Sequence, residues 1–127
     1  MSQFHALIID DNLQNLQVLG QMLAKQGISS TEISDPATLP GLWQTLERVD
    51  VVFLDLEMPG VDGFDVKDMV RAHFGEVPII AYTVHISEIN VAKQSGFDGF
   101  LGKPLNKARF PDQVARILRG EAVWDRA

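Results

Sequence analysis

A doubly wound α/β fold, with one parallel sheet of five strands and helices on both faces, is what this sequence predicts. Three observations carry that expectation. Short apolar runs alternate with amphipathic stretches five times along the chain. The runs are nearly continuous in apolar residues, as strands covered on both faces are, and short connections between alternating strands and helices favour parallel pairing. Polar groups recur just after the runs, which in a parallel sheet is a single edge, the one where ligands bind.

The elements follow in order. Ala6-Leu7-Ile8-Ile9 is the first strand and ends in Asp10-Asp11. Asn12 is placed to cap a helix whose apolar face is Leu13, Leu16, Leu19 and Leu23, stopped by Gly27. Thr31-Glu32-Ile33 is a weak second strand. Ser34 and Asp35-Pro36 supply a cap and first turn for a second helix through about Val49, with Pro40-Gly41 blurring its start. Val51-Val52-Phe53-Leu54 is the clearest strand, central by its unbroken apolar character, and runs through Asp55 into the Pro59-Gly60 break. Asp62-Gly63 opens a third helix with Phe64, Val66, Met69, Val70 and Phe74 apolar, closed by Gly75. Val77 to Tyr82 is the fourth strand and ends at Thr83. A short helix from Ile86 to about Gln94 turns Ile86, Ile89 and Val91 or Ala92 inward, with Gly96 after it. Phe100-Leu101 is the fifth strand, ending at Gly102-Lys103-Pro104, and the last helix runs from about Lys107 to Leu118, burying Phe110, Val114, Ile117 and Leu118. Residues 1–120 form one domain and 121–127 a short tail; Trp124 within it is open to surface packing, a partner interface or disorder.

Bulk properties narrow the function. A chain of 127 residues is one domain, able to bury roughly 65–70% of its unfolded surface. No cysteine is present, which excludes disulfides, a thiol nucleophile and thiolate metal sites. No signal-peptide pattern or membrane-length apolar run appears, so the expected location is cytoplasmic, away from the membrane. With 17 acidic and 11 basic residues the net charge is −6, which argues against direct nucleic-acid binding. None of His5, His73 and His85 has metal-site spacing; His5 and His73 are expected on the solvated surface.

If the first and third strands are neighbours, Asp10, Asp11 and Asp55 converge at their ends, flanked by Thr83 and Lys103. Each carboxylate pair at ~5 Å costs about 3 kcal/mol at an effective dielectric of ~20. A proton, the lysine ammonium or a divalent cation could offset this; Lys103 neutralises only one charge, whereas a hard cation such as Mg²⁺ neutralises more and leaves positions for water and phosphate oxygens. Roles for a phosphoryl-transfer site then divide: Asp55 as nucleophile, Asp11 and Asp10 on the metal, and Lys103 and Thr83 on the transferred phosphoryl oxygens.

Paired acids after the first strand, Leu54-Asp55-Leu56-Glu57-Met58-Pro59-Gly60 followed by Asp62-Gly63, Thr83 after the fourth strand and Lys103-Pro104 after the fifth together resemble the receiver domain of two-component response regulators. The likeness covers nearly the whole chain. It implies a flavodoxin-like sheet of order 2-1-3-4-5 with five helices. It implies that Asp55 is the phosphoacceptor of a signalling switch, charged by a histidine kinase or histidine phosphotransfer protein. It further implies Mg²⁺ or Mn²⁺ held by Asp11, Asp55 and the Glu57 backbone carbonyl with Asp10 close by, Lys103 on the phosphate, and a cis bond before Pro104. Thr83 and Phe100 match the switch pair, Phe100 standing where tyrosine is common. Glu57 and His85 are positions that tune the site. Such a chain catalyses its own phosphorylation and slow dephosphorylation and is not a turnover enzyme. Its output is contact with a downstream protein, through the face of the fourth helix, fifth strand and fifth helix, as a monomer or weak homodimer.

The rival reading is a phosphohydrolase of the haloacid dehalogenase type, which Asp55-Leu56-Glu57 superficially fits. That family carries its nucleophile on the first strand and a further acidic pair after the lysine, and nothing equivalent follows Lys103. A flavodoxin-like cofactor carrier lacks support because no Ser/Thr/Gly-rich phosphate loop follows the first strand. A degenerate receiver acting as a plain binding module is disfavoured because no site residue is missing.

Overall fold

The computed structural model describes residues 4–46 and 48–125. Strands β1 (Phe4–Ile9), β2 (Ile28–Ile33), β3 (Val51–Asp55), β4 (Ile79–Thr83) and β5 (Gly99–Gly102) form a parallel sheet, joined at its edge by a two-residue strand, β6 (Trp124–Asp125). The order is β2-β1-β3-β4-β5-β6. Through β5 this is the expected order 2-1-3-4-5; β6 is an addition, made by residues whose placement the sequence left open.

Side-chain alternation along the strands divides the interior in two. Ala6, Ile8, Val51, Phe53, Ile80, Tyr82 and Leu101 point to one face, where α1 (Leu13–Ala24) and α5 (Phe110–Leu118) supply Leu16, Leu19, Leu23, Phe110, Val114 and Ile117. Leu7, Ile9, Val52, Leu54, Ile79, Ala81 and Phe100 point to the other, against Leu39 of α2 (Leu39–Leu42), Val66 and Val70 of α3 (Gly63–Phe74), and Ile89 and Ala92 of α4 (Ile89–Gln94). Every residue of β3 and β4 is buried, so neither strand offers a polar residue until its carboxyl end.

The departures from the expected elements have local causes. The second helix stops at Leu42 instead of running to Val49; one further turn follows, in which the Leu42 carbonyl accepts from the amides of Thr45 and Leu46 and from the Thr45 hydroxyl. Leu46 and Val49 are buried all the same, which is why their spacing read as helical. Leu13 is 71% exposed: it occupies the first helical turn, beyond the strand ends, and Met22 is buried in its stead. Ile86 and Val91 are exposed, and Ile86 belongs to a 3₁₀ turn that precedes α4. The last helix begins at Phe110 and not Lys107, and Leu118 is only half-buried. β2 was faint in sequence because it is an edge strand buried only at its two end residues, and it is longer than Thr31–Ile33. His5 is half-buried, its ring nitrogens 2.7 Å from the Ser29 and Thr31 hydroxyls, whereas His73 is exposed and stacks on Trp43. No helix among the described residues is long and apolar enough to cross a membrane.

Candidate functional site

Register sets the site. Ile9 pairs with Leu54 and Leu54 with Ala81, so Asp10 and Asp55 leave β1 and β3 at the same level, one residue past a matched pair. Thr83 pairs with Gly102, and the Lys103 amide donates to the Thr83 carbonyl at 2.9 Å, tying the ends of β4 and β5 together. The Lys103–Pro104 peptide is cis. Between β3 and α3, Glu57–Met58 and Val61–Asp62 form a small antiparallel hairpin. Pro59 and Gly60 make its turn; Gly60 has φ +73°, the left-handed position that such a turn reserves for glycine. Asp62 then caps α3, its carboxylate accepting from the Phe64 amide at 2.8 Å.

Asp10 is fully buried, and its charge is met on every side. Oδ1 accepts from the Asn12 amide at 2.9 Å; Oδ2 accepts from the Tyr82 hydroxyl at 2.7 Å and from the Lys103 ammonium at 3.2 Å. Asp55 is almost as deeply buried; its Oδ1 accepts from the Glu57 amide at 2.9 Å and lies 3.4 Å from Lys103 Nζ. Asp11 is exposed. Oxygens of Asp10, Asp11 and Asp55 all lie within 4.8 Å of one another. Lys103 Nζ stands 4.4 Å over the Tyr82 ring, which fixes the ammonium from a third side.

The two buried carboxyls are pushed apart in acidity. Burial raises Asp55, and the neighbouring Asp10 charge adds to it against the pull of Lys103, so that its pKa reaches about 7. Burial acts on Asp10 in the same direction, but the Asn12 amide, the Tyr82 hydroxyl and Lys103 outweigh it and hold that carboxyl below its usual range. Tyr82 is raised, first by its own burial and then by Asp10, and stays a neutral donor. Burial is the main reason Asp55 holds its proton, and Lys103 offsets it only in part. A compact set of carboxylate oxygens with charge to spare is the donor chemistry of a hard divalent cation. These residues fit one.

Thr83 is fully buried, and its hydroxyl donates to Glu57 Oε1 at 2.7 Å while accepting from the His85 amide at 3.1 Å. His85 Nε2 is 2.7 Å from the same Glu57 oxygen. Glu57 and His85 therefore form a second cluster beside the acidic one, with Thr83 between them. Phe100 is fully buried in the core on the α3 and α4 side. Sequence reasoning passed over Tyr82 as one more strand residue. The available signal was its hydroxyl: a buried tyrosine at the end of an otherwise aliphatic strand must find an acceptor, and the acids at neighbouring strand ends are the ones in reach.

The chain matches the family model described as response regulator receiver domain over residues 6–115. It is 32% identical over 112 residues to stress response regulator protein 1 of Candida tropicalis, covering 84% of this chain and 42% of that protein. It is 31% identical over 111 residues to the osmosensing histidine protein kinase SLN1 of Saccharomyces cerevisiae, covering 81% of this chain and 9% of the kinase. The chain thus spans less than half the length of either relative. Its fold superposes on a response regulator receiver protein from Burkholderia phymatum with a TM-score of 0.81 at 27% identity, over 94% of this chain and 98% of the other. Nothing in this likeness favours the phosphohydrolase reading. On the strength of a family match over residues 6–115, from β1 into α5 and including the acidic cluster at the strand ends, the chain belongs to the response regulator receiver domain family.

Proposed function

We propose that Asp55 takes a phosphoryl group from the phosphohistidine of a histidine kinase or histidine phosphotransfer protein, in a reaction that requires Mg²⁺ or Mn²⁺, and that the phosphorylated chain signals through a changed protein-binding face. One observation carries the reading: three carboxylates gathered within 4.8 Å, with a lysine ammonium 3.2 Å from Asp10 and 3.4 Å from Asp55. Asp10, Asp11, Asp55 and the Glu57 carbonyl hold the cation, which supplies counter-charge to the carboxylates and to the phosphoryl oxygens.

The protein's own groups do the rest. The Glu57 amide fixes Asp55 by one oxygen, and the other, on the ionised carboxylate, attacks phosphorus as the N–P bond of the donor breaks; the donor ring, already protonated on its second nitrogen, leaves as neutral imidazole. Lys103 sits between Asp10 and Asp55, within reach of an oxygen on the incoming group. The Thr83 hydroxyl must leave Glu57 to bond a phosphoryl oxygen, which makes Glu57 the brake on the switch, and Phe100 responds from within the core. In this reading the protein works in the cytoplasm, where phosphohistidine is made, with residues 1–120 as the receiver and no cycle of substrate turnover beyond slow loss of its own phosphoryl group.

Incubation with Mg²⁺ and acetyl phosphate, followed by intact mass, tests the proposal. One acid-labile phosphoryl group on the wild type and none on Asp55→Asn is the expected result; uptake by Asp55→Asn at the wild-type rate refutes the choice of nucleophile. Lys103→Ala should accept some phosphate without transmitting the change, read as amide shifts on β4 and β5.

A further inference from the structure

Two groups of the site, Asp10 and Lys103, meet on Tyr82, a buried side chain to which the proposed transfer gives no part. Asp55 and Tyr82 are register partners on β3 and β4, so the phenol starts beside the phosphoacceptor and reaches back over β3 to the acid that follows β1. Strands two apart lie ~10 Å from one another, a gap that a phenol closes and a serine or threonine hydroxyl does not. Asp10 has no access to solvent, so its charge depends wholly on its partners. Its two side-chain donors differ in kind. The Tyr82 hydroxyl stands 2.7 Å from Oδ2 on a rigid, buried ring. The Lys103 ammonium stands 3.2 Å from the same oxygen on a flexible stem, and is shared with Asp55 at 3.4 Å. The ammonium also lies 4.4 Å over the Tyr82 ring. Attraction to a ring face makes no demand on which carboxylate the N–H groups point to.

We propose that Tyr82 is a positioning residue for phosphoryl transfer, its hydroxyl keeping the buried Asp10 paired while Lys103 turns to the phosphoryl oxygens, and its ring holding the ammonium through that turn. The inference rests on the proposed role of Asp55 and deepens it. A phosphoryl group on Asp55 draws the ammonium towards its oxygens, and the 3.2 Å contact with Asp10 is the one that gives way. Without a second donor, that move leaves a fully buried carboxylate short of a partner, at a cost that holds the lysine where it is. With Tyr82 present, Asp10 keeps its shorter bond and Lys103 is free to exchange. The same hydroxyl takes an acceptor position on Asp10 that a cation could otherwise use, since Oδ2 already receives two donors and Oδ1 the Asn12 amide. Removing the hydroxyl therefore acts differently on two ligands: the cation loses nothing, and the phosphoryl group loses its lysine.

Binding of Mg²⁺, and then of beryllium fluoride as an analogue of the phosphoryl group, separates these effects in the full chain. Tyr82→Phe keeps the ring and removes the hydroxyl. It should bind Mg²⁺ as tightly as wild type or more tightly. At saturating Mg²⁺ it should bind beryllium fluoride about tenfold more weakly, the worth of one charge-assisted hydrogen bond. Tyr82→Leu, which lacks the ring as well, should weaken beryllium fluoride further; equal affinity in the two variants overturns the part given to the ring. Equal beryllium fluoride affinity in wild type and Tyr82→Phe overturns the inference. So does a parallel loss of both ligands, which is what a merely loosened fold gives. A wild type that binds neither ligand overturns the reading of Asp55 as phosphoacceptor, and this inference with it. The chain has 1 tyrosine, so a measurement on the wild type decides the matter even if the variants do not fold. With the ring Cζ isotopically labelled, the single tyrosine signal should keep its hydrogen-bonded position when both ligands are added, while the Lys103 Nζ signal moves. A tyrosine signal that moves to the position of an unbonded phenol overturns the inference.

Discussion

At the scale of single residues the site buries carboxyl groups, and Asp55 is the one whose acidity burial weakens. Its folded carboxyl keeps a proton up to a pKa of about 7, against 3.8 for an unperturbed aspartate. The group therefore favours the folded state fully below the unfolded value, and that contribution is lost as pH rises from about 4 to about 7; a difference of this size corresponds to at most about 4 kcal/mol. In the absence of divalent cations, urea unfolding should show the wild type losing stability relative to Asp55→Asn across this window, with the variant the more stable at about pH 8. A constant difference between the two proteins would contradict the burial argument. Tyr82 works in the opposite sense, since its hydroxyl is one of two side-chain donors on the buried Asp10. Tyr82→Phe removes a charge-assisted hydrogen bond without changing shape, and should cost about 1.5–3 kcal/mol by urea midpoint. A neutral result would mean that Lys103 alone suffices for Asp10.

The elements explain why these residues meet. β1 and β3 are adjacent and in register, and each carries its acid immediately after a buried apolar run, so side-chain packing fixes the strand and the strand fixes the acid. The hairpin after β3 places the Glu57 amide on Asp55 and the Glu57 side chain on Thr83 together. At the opposite edge, β5 is short and two of its four residues are glycines, an arrangement that admits a neighbouring backbone and leaves a strand weak without one. Gly99→Ala tests this. Its Cβ would meet the Val123 carbonyl oxygen and Ile80 Cδ1 both at 2.8 Å, and the first of these is backbone that can move only by leaving. Amide exchange at Phe100 should accelerate and, in a Trp43→Phe background, quenching of Trp124 fluorescence should increase. Unaltered protection at Phe100 would show that β5 tolerates the methyl group by shifting instead.

For the molecule as a whole, the carboxylates that could hold a cation are brought together only by folding. A cation held by Asp10, Asp11 and Asp55 would bind only the folded chain, because two of the acids follow β1 and the third ends β3. Mg²⁺ at 100 times its dissociation constant should raise the unfolding free energy by about 2.7 kcal/mol, read as a higher Tm. Asp11→Ala should remove most of that gain while leaving the cation-free Tm nearly unchanged, since Asp11 is exposed and the other two acids are not. A full Mg²⁺ response in Asp11→Ala would remove it from the ligand set.

By itself the sequence determined the alternation of strand and helix, the central place of Val51–Asp55 and the polar residue at the end of each inner strand, because apolar runs, caps and turn glycines are local signals. The same locality explains its errors. Leu46 and Val49 are buried at a helical spacing although neither lies in a helix, and Leu13 continues an apolar stripe yet is exposed in the first turn of α1. Three things were decided only by tertiary structure: the donation from Tyr82 to Asp10, the capture of Thr83 by Glu57 in company with His85, and the return of Trp124 to the edge of β5. Each joins residues whose individual preferences are satisfied in many folds, and only the packed sheet brings a donor and an acceptor 26 or 72 positions apart within bonding distance.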